Sequence, residues 1–385
     1  MYDTIIVGAG PAAGSAALHL TKEGHRVLVL EKERLPRYKP CGGAVPKACL
    51  DHLPIDFSPT IEQEIHRVRF RFLSELEVGF DLPNRPIAMV MRDRFDHLLL
   101  QHSSAEIVDR ALVTDLHQDE TGVEVVTRSG DTHRARYLIA ADGANSRVAR
   151  LSGLRGGRKF GVALEAEVAR NDTDALREYS GAACFILGAP PRGYIWVFPK
   201  ADHLSVGIGT FETKADDLKA TLTEEMSRLG IPLNGRIHSH SLPVYTRHEP
   251  LHNGHVLLAG DAAGLADPLL GEGIRHAINS GRLAAEAVLA DSPSQYTDRV
   301  HKEIGRDLLW GLRWARVFYK YPRACFDYGV RNPWFVGDFL RLFAGHTTYR
   351  QMAMRALPGT VREWKHRLPA VHPAQTHRGE SCVDQ

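Results

Sequence analysis

Gly8, Gly10 and Glu31 are the first residues whose types and spacing could do chemistry. The string Gly8-Ala9-Gly10-Pro11-Ala12-Ala13-Gly14 follows a short apolar run at residues 4–7. It precedes a helix-forming stretch over 15–22, which Gly24 ends, and a second apolar strand over 26–30. A strand, a glycine turn, a helix and a strand make the unit that binds a dinucleotide. Gly8 permits the tight turn. Gly10 has no Cβ, so the backbone can approach a pyrophosphate. The helix N-terminus offers free N–H groups and the positive end of its dipole to that anion, with Pro11, Ala12 and Ala13 as expected cofactor contacts. Ala13 stands where such turns often carry a third glycine, with Gly14 next. Glu31 lies 31 − 8 = 23 positions beyond Gly8, at the tip of the second strand, where a carboxylate accepts from a ribose hydroxyl. Lys32 beside it is expected at the same edge.

Two later segments repeat the theme of a strand running into a polar turn and a helix. Over 135–150 a strand at 137–140 meets Asp142-Gly143, and a helix start follows at Ser146. Over 255–281 a strand at 256–259 meets Gly260-Asp261. Asp267-Pro268 and Gly271-Glu272-Gly273-Ile274 then open a helix reaching to about residue 290. Together with the first turn, these segments resemble the fingerprints of FAD-dependent enzymes of the glutathione-reductase-like superfamily. The matching branch holds p-hydroxybenzoate-type hydroxylases, flavin halogenases and geranylgeranyl reductases. The resemblance implies FAD as cofactor, with Asp142, Gly143 and Gly260 in its site and Asp261 on a ribityl hydroxyl. It also points the helix start at Gly271, Gly273 and Ile274 toward the flavin pyrimidine edge, where reduced flavin carries negative charge. Arg92, in Arg92-Asp93-Arg94-Phe95-Asp96, matches the arginine before the branch's Phe-Asp pair and is an expected FAD contact. One departure is plain: Ala149 stands where the branch has an arginine after Asp-Gly, flanked by Arg147 and Arg150.

Three strings narrow the resemblance. Lys39-Pro40-Cys41-Gly42-Gly43-Ala44-Val45-Pro46 is similar to a segment of plant and cyanobacterial geranylgeranyl reductases. So is the strand carrying Tyr194, Trp196, Phe198, Pro199 and Lys200, and so is Asp267 to Ile274. The similarity runs over about the first 290 residues. That family implies reduction of isolated C=C bonds in prenyl chains, on a diphosphate, a lipid, a quinone or a pigment. Electrons come from NADPH or a ferredoxin through FAD, and no second glycine motif for NAD(P)H is present. Cys41, Gly42 and Gly43 would adjoin the flavin. Cys41 and Tyr194 are the candidate catalytic residues, Cys41 as proton donor or stereochemical guide, although a small packing residue fits that position too. Tyr194, Trp196 and Phe198 would line the substrate pocket or form ordinary sheet core. The competing enzyme on this fold is an FAD-dependent monooxygenase. A halogenase is disfavoured, because Tyr194 to Pro199 departs from the W-x-W-x-I-P string of that group.

The elements needed to position these residues suggest an α/β plus β fold. A Rossmann-like FAD-binding domain would be assembled from 1–67, 92–160 and 250–295. An antiparallel-sheet substrate domain would come from 68–91 and 161–249, with a helix near 215–229. Helices would follow over 296–368, then a polar tail over 369–385 expected to be disordered. Trp310, Trp314 and Phe318 recur at helical spacing. That stripe is a packing face, a lipid entrance or a membrane-docking face, the last suggested by Arg313, Arg316, Lys320 and Arg323 among the aromatics. The length of 385 residues exceeds one ordinary core. A net charge of +2 asks for no nucleic acid. The five cysteines are scattered without a C-x-x-C pair, so neither a zinc site nor a disulfide framework is expected, and no metal. No basic leader and no apolar run of about 20 residues is evident. The expected location is cytoplasmic, or peripheral to a membrane.

Overall fold

The computed structural model describes residues 1–73, 76–82, 87–169, 177–179, 181–212 and 217–356, with Pro333 described by its backbone alone. The expected tail and the last part of the C-terminal region lie outside these residues.

The nucleotide-binding motif forms from local signals. Strand Tyr2–Val7 buries its last four residues and enters the turn at Gly8. Helix Pro11–Lys22 starts on Pro11, whose missing N–H costs nothing at a helix start. Strand Val27–Leu30 returns parallel to the first. Around this unit an eight-stranded sheet is built, with the central path His252–Asn253, Val256–Leu258, Thr132–Ala140, Tyr2–Val7, Val27–Leu30 and Glu106–Val108. The inner pairings are parallel. The hairpin of Val113–Asp119 and Gly122–Thr127 extends Thr132–Ala140 antiparallel. Helix Ile274–Leu289 lies so close to helix Pro11–Lys22 that a Cβ on Gly281 would sit 2.2 Å from the Ala12 carbonyl oxygen. The start of the first helix is thereby held against the middle of the second.

The second large sheet has seven strands. Their order is His238–Val244, Lys159–Ala169, His203–Thr210, Gly193–Pro199, Ala183–Leu187, Arg67–Phe72 and Leu76–Asp81. It departs from the expected wholly antiparallel sheet at one place, where Ala183–Leu187 pairs with Arg67–Phe72 in parallel. A second correction concerns Ile87–Val90, expected in this sheet. It pairs instead with Ala44–Pro46 and Ile61–Ile65 in a separate three-stranded sheet. That sheet carries the segment after Cys41-Gly42-Gly43, so its pairings fix where those residues lie. Helix Leu218–Arg228 interrupts the strand succession near the expected position and covers one face with Leu222 and Met226.

Helices Arg306–Lys320, Pro322–Arg331, Pro333–Phe343 and Tyr349–Arg355 close the opposite side. Trp310, Trp314 and Phe318 point inward, into a cluster with Leu269, Leu342 and Tyr349. The stripe therefore packs against the body of the protein, and Trp314 and Phe318 also line a cavity described below. Val317, Tyr321 and Tyr328 are exposed on the outer side, among Arg313, Arg316 and Lys320. Among the described residues no helix is long and apolar enough to cross a membrane.

Candidate active site

One cleft runs between the two large sheets, and most of the expected residues meet in it. Its wall includes Gly10, Pro11, Ala12, Cys41, Gly42, Gly43, Arg92, Gly143, Tyr194, Trp196, Phe198, Gly260, Asp261, Gly271, Gly273 and Ile274. Five expected residues are not in its wall. Gly8 supplies the turn: its φ is +105°, and a Cβ there would meet the Ala141 carbonyl oxygen at 2.3 Å. Ala13 is fully buried in the core behind the turn. Asp142 accepts from the Arg147 N–H (2.8 Å), the Val148 N–H (3.2 Å) and the Ser146 hydroxyl (2.5 Å), so it ties down helix Arg147–Leu151. Glu31 is 3% exposed and accepts from the Ala9 N–H (2.8 Å) and the Glu33 N–H (3.0 Å). Lys32 is exposed to solvent. Neither Arg147 nor Arg150 reaches the cleft wall, which leaves the position at Ala149 without an arginine there.

The nucleotide end is set up for an anion. Helix Pro11–Lys22 begins at Gly10 with no side chain capping its N–H groups. Behind Gly10 stand two arginines. Arg92 grips Asp96 with two bonds of 2.8 Å, and Arg37 touches the same carboxylate at 3.3 Å and Glu31 at 3.5 Å. The Nη1 of Arg37 is buried with no hydrogen-bond partner. Arg37 Nη2 lies 3.6 Å from where a Gly10 Cβ would be, so guanidinium charge and an uncapped helix start together suit phosphate oxygens.

Farther along, Asp261 faces Lys39 at 3.3 Å and His240 at 3.7 Å. Burial pushes its carboxyl up, but Lys39 and His240, with Arg92 behind, outweigh that and hold it well below the usual range. It is an anion and an acceptor at any ordinary pH. Gly273 begins the next helix, again with no side-chain cap. The cleft then meets the apolar face of the seven-stranded sheet. Here Gly42 lies so close that a Cβ would be 2.9 Å from the Phe198 ring and 3.2 Å from the Trp196 indole nitrogen.

Beyond this point a second cavity opens between the sheet and the C-terminal helices. It shares Phe185, Tyr194, Leu270 and Phe343 with the cleft, and continues past Phe70, Trp314, Phe318, Phe326, Phe339 and Val336. Its wall is almost wholly apolar.

A family model described as FAD binding domain matches residues 1–290. An uncharacterized protein of Methanosarcina barkeri is 29% identical over 328 residues, 83% of either chain. The chloroplastic geranylgeranyl diphosphate reductase of Oryza sativa subsp. japonica is 33% identical, over 74% of this chain and 66% of its own length. The geranylgeranyl diphosphate reductase of Rhodobacter capsulatus is 32% identical over 75% of each chain. The chain belongs to the geranylgeranyl reductase family. Two solved structures share this chain's fold. A geranylgeranyl bacteriochlorophyll reductase-like protein from Thermoplasma acidophilum gives a TM-score of 0.75 at 24% identity, covering 94% of this chain and 98% of its own. A flavin-dependent brominase gives 0.72 at 21% identity, covering 94% and 98%.

The chain is an FAD-dependent oxidoreductase, and its cleft fits that cofactor. The uncapped start of helix Pro11–Lys22 with the Arg37 guanidinium beside it would suit a pyrophosphate, the uncapped start at Gly273 the flavin edge, and the anionic Asp261 polyol hydroxyls.

Several residues of the reductase's site escaped sequence reasoning. Arg37 precedes the Cys41 string and Lys39 opens it, but a surface lysine or arginine looks the same in sequence. Lys200 ends the Tyr194–Lys200 string and proves fully buried. Its ammonium donates to the Gly42 carbonyl (2.7 Å) and the Val90 carbonyl (2.9 Å). Glu165, His238 and His240 enter the cleft wall from neighbouring strands. Among the candidate catalytic residues, Cys41 is half-buried in the wall with its Sγ accepting from the Gly43 N–H at 3.4 Å. The Tyr194 hydroxyl donates to the Leu270 carbonyl, and burial pushes its pKa above the ordinary phenol range. Its proton is committed to main chain, which suits a wall residue better than an acid. Among the described residues no cluster of His, Cys, Asp and Glu could hold a metal ion.

Proposed function

We propose that this reductase saturates isolated C=C bonds in prenyl chains, with electrons supplied by NADPH or a ferredoxin. The observation that carries it is the apolar cavity joined to the cleft at Phe185, Tyr194, Leu270 and Phe343. A polar substrate would leave its hydrogen-bonding groups unsatisfied there, at a cost of several kcal/mol. A prenyl chain has none, and each buried CH2 contributes about 0.8 kcal/mol. Bound and reduced, the flavin supplies a hydride. The chain's own residues bring an alkene to it: Phe198 and Trp196 form the floor beneath Gly42, and Tyr194 and Phe343 line the passage to the second cavity. The diphosphate or pigment end remains toward the open cleft, where Lys39 and the two histidines stand.

The experiment is anaerobic. Purified protein is reduced with dithionite and mixed with geranylgeranyl diphosphate, and products are weighed by mass spectrometry. Products heavier by two hydrogens per step are expected. Consumption of O2 dependent on substrate and NADPH, with no reduced chain, would instead assign the monooxygenase chemistry that this fold also supports.

The second cavity gives its own prediction. Gly329 lines it on helix Pro322–Arg331, and a Cβ there meets nothing nearer than Val336 Cγ2 at 3.8 Å. Gly329→Leu should fold at least as well as the wild type, since glycine inside a helix costs about 1 kcal/mol. It should fill space that the chain's far end needs. Excluding two or three carbons raises KM for geranylgeranyl substrates about 10- to 50-fold. Geranyl substrates, half as long, should keep their KM. Equal effects on both lengths would count against a chain lying in that cavity.

A further inference from the structure

Saturating an alkene needs a proton as well as a hydride, and an isolated alkene offers no carbonyl to assist it. Resting on the prenyl reading, we propose that Glu165 is the acid that delivers this proton. Glu165 sits on strand Lys159–Ala169, where alternation turns Ala163, Glu165 and Glu167 to one face. Ala163 and Glu165 are in the cleft wall with Cys41, Gly42, Trp196 and Phe198. The Glu165 residue is 4% exposed. Its Oε1 accepts from the Ser205 hydroxyl at 2.6 Å, and the Ser205 oxygen accepts from the Trp196 indole at 3.2 Å. The indole only donates, so the serine hydrogen is directed to Oε1. Oε2 is buried and makes no hydrogen bond, which is where a carboxyl proton would sit and be given up.

The other acids of the wall are committed. Asp261 is an anion held by Lys39. Glu272 is paired with Arg275 at 2.8 Å. Tyr194 has given its hydrogen to Leu270. Glu165 has no ion pair within 4 Å among the described residues, because the Lys200 ammonium is turned to two carbonyls. Burial raises its carboxyl to about 7; the Ser205 hydroxyl, Lys200 and the nearby Cys41 N–H oppose the shift, and Glu167 adds to it. His238 stands directly opposite Glu165 on the next strand. Its ring lies 4.8 Å from that of Tyr38, which is 41% exposed. These groups mark the side from which solvent can restore the proton.

Atoms and electrons balance simply. The hydride pair from the reduced cofactor makes one C–H bond. The π pair breaks and makes the other with the Glu165 proton, leaving a carboxylate that solvent reprotonates.

Two measurements on the FAD-loaded protein test this. In anaerobic single turnovers with geranylgeranyl diphosphate, Glu165→Gln should keep its flavin and its rate of reduction by dithionite. Prenyl reduction should fall about 100-fold or more, as expected for loss of a general acid. The acid must be protonated, so the wild-type rate should fall as pH rises through about 7. Glu165→Asp should restore part of the rate with a displaced profile. Infrared spectra of the oxidised wild type should show a protonated-carboxyl band at pH 6 that vanishes as pH rises through about 7 and is missing in Glu165→Gln. An active wild type with an unaffected Glu165→Gln, no such band, or a pH step that disappears in Cys41→Ala instead, would overturn the assignment to Glu165. A wild type that reduces no prenyl chain overturns the functional reading as well, and so is told apart.

Discussion

Gly10→Val protein should fold normally and purify without yellow colour. The two glycines of the first turn have opposite reasons for being glycine. Gly10 has an ordinary extended backbone, φ −89° and ψ −175°. A Cβ there meets nothing closer than Arg37 Nη2 at 3.6 Å, which is plain van der Waals contact. The folded chain therefore loses almost nothing, and apo stability should stay within about 1 kcal/mol of wild type. The valine methyls occupy the space in front of the uncapped helix start, beside the Arg37 guanidinium. Pushing a pyrophosphate outward removes N–H and guanidinium contacts together. FAD affinity should fall by at least about 100-fold, close to 3 kcal/mol. Gly8→Ala should behave in the reverse order. Its φ of +105° and the 2.3 Å approach to the Ala141 oxygen make alanine a strain on the fold itself. That strain exceeds the 1–2 kcal/mol of a left-handed backbone alone, about 2–4 °C of melting temperature per kcal/mol in a domain of ordinary size. Flavin-to-protein absorbance ratios and apo melting curves separate the two. A Gly10→Val protein holding a full complement of FAD would end the assignment of that turn to the pyrophosphate.

What could be read in the chain beforehand follows from where the information lies. The first strand, turn and helix are specified within thirty residues by apolar runs and glycines, and they appear there, the helix beginning at Pro11, four residues ahead of the expected run. The helix start at Gly273 and the turn at Asp261 are equally local. Pairing partners are not local. Ile87–Val90 reads as a strand, but nothing in its four residues distinguishes the seven-stranded sheet from the small sheet it joins with Ala44–Pro46 and Ile61–Ile65. The parallel contact of Arg67–Phe72 with Ala183–Leu187 is hidden for the same reason. Buried charges are the hardest case. Arg37, Glu165 and Lys200 have side chains that belong on the surface by type, and only tertiary packing takes them inside. The Trp310–Phe318 stripe shows a half-way case: periodicity reveals the face, while what covers it comes from helices and loops elsewhere in the chain.

Lys200 supplies the other large effect, and it is expected to be local. The ammonium is fully buried and holds the Gly42 and Val90 carbonyls, one on the Cys41 loop and one on the strand behind it. Burial lowers its pKa to about 8, with Glu165 and neighbouring groups pulling it back up. That downward shift means that carrying the charge at neutral pH costs stability. Lys200→Met removes this penalty. It also orphans two carbonyl groups, at roughly 1–3 kcal/mol each. The two effects are opposite in sign, so global stability should move little. The sign with pH is definite: in the wild type the unfolded chain binds the extra proton between about 8 and 10.5, so the Lys200 contribution to stability rises with pH across that window. The methionine variant should lack that rise. The loop, by contrast, loses its buried tie at Gly42 and keeps only the Gly43 carbonyl's bond from the Val90 N–H (2.9 Å) to that strand. Alkylation of Cys41, followed by peptide mass spectrometry against Cys49 as internal reference, should quicken about tenfold for each 1.4 kcal/mol of lost loop order. Prenyl reduction should fall about 100-fold with it, because positioning near the alkene tolerates little error. A Lys200→Met protein with an unchanged Cys41 labelling rate and full activity would show that the loop is held by its glycines and the three-stranded sheet alone.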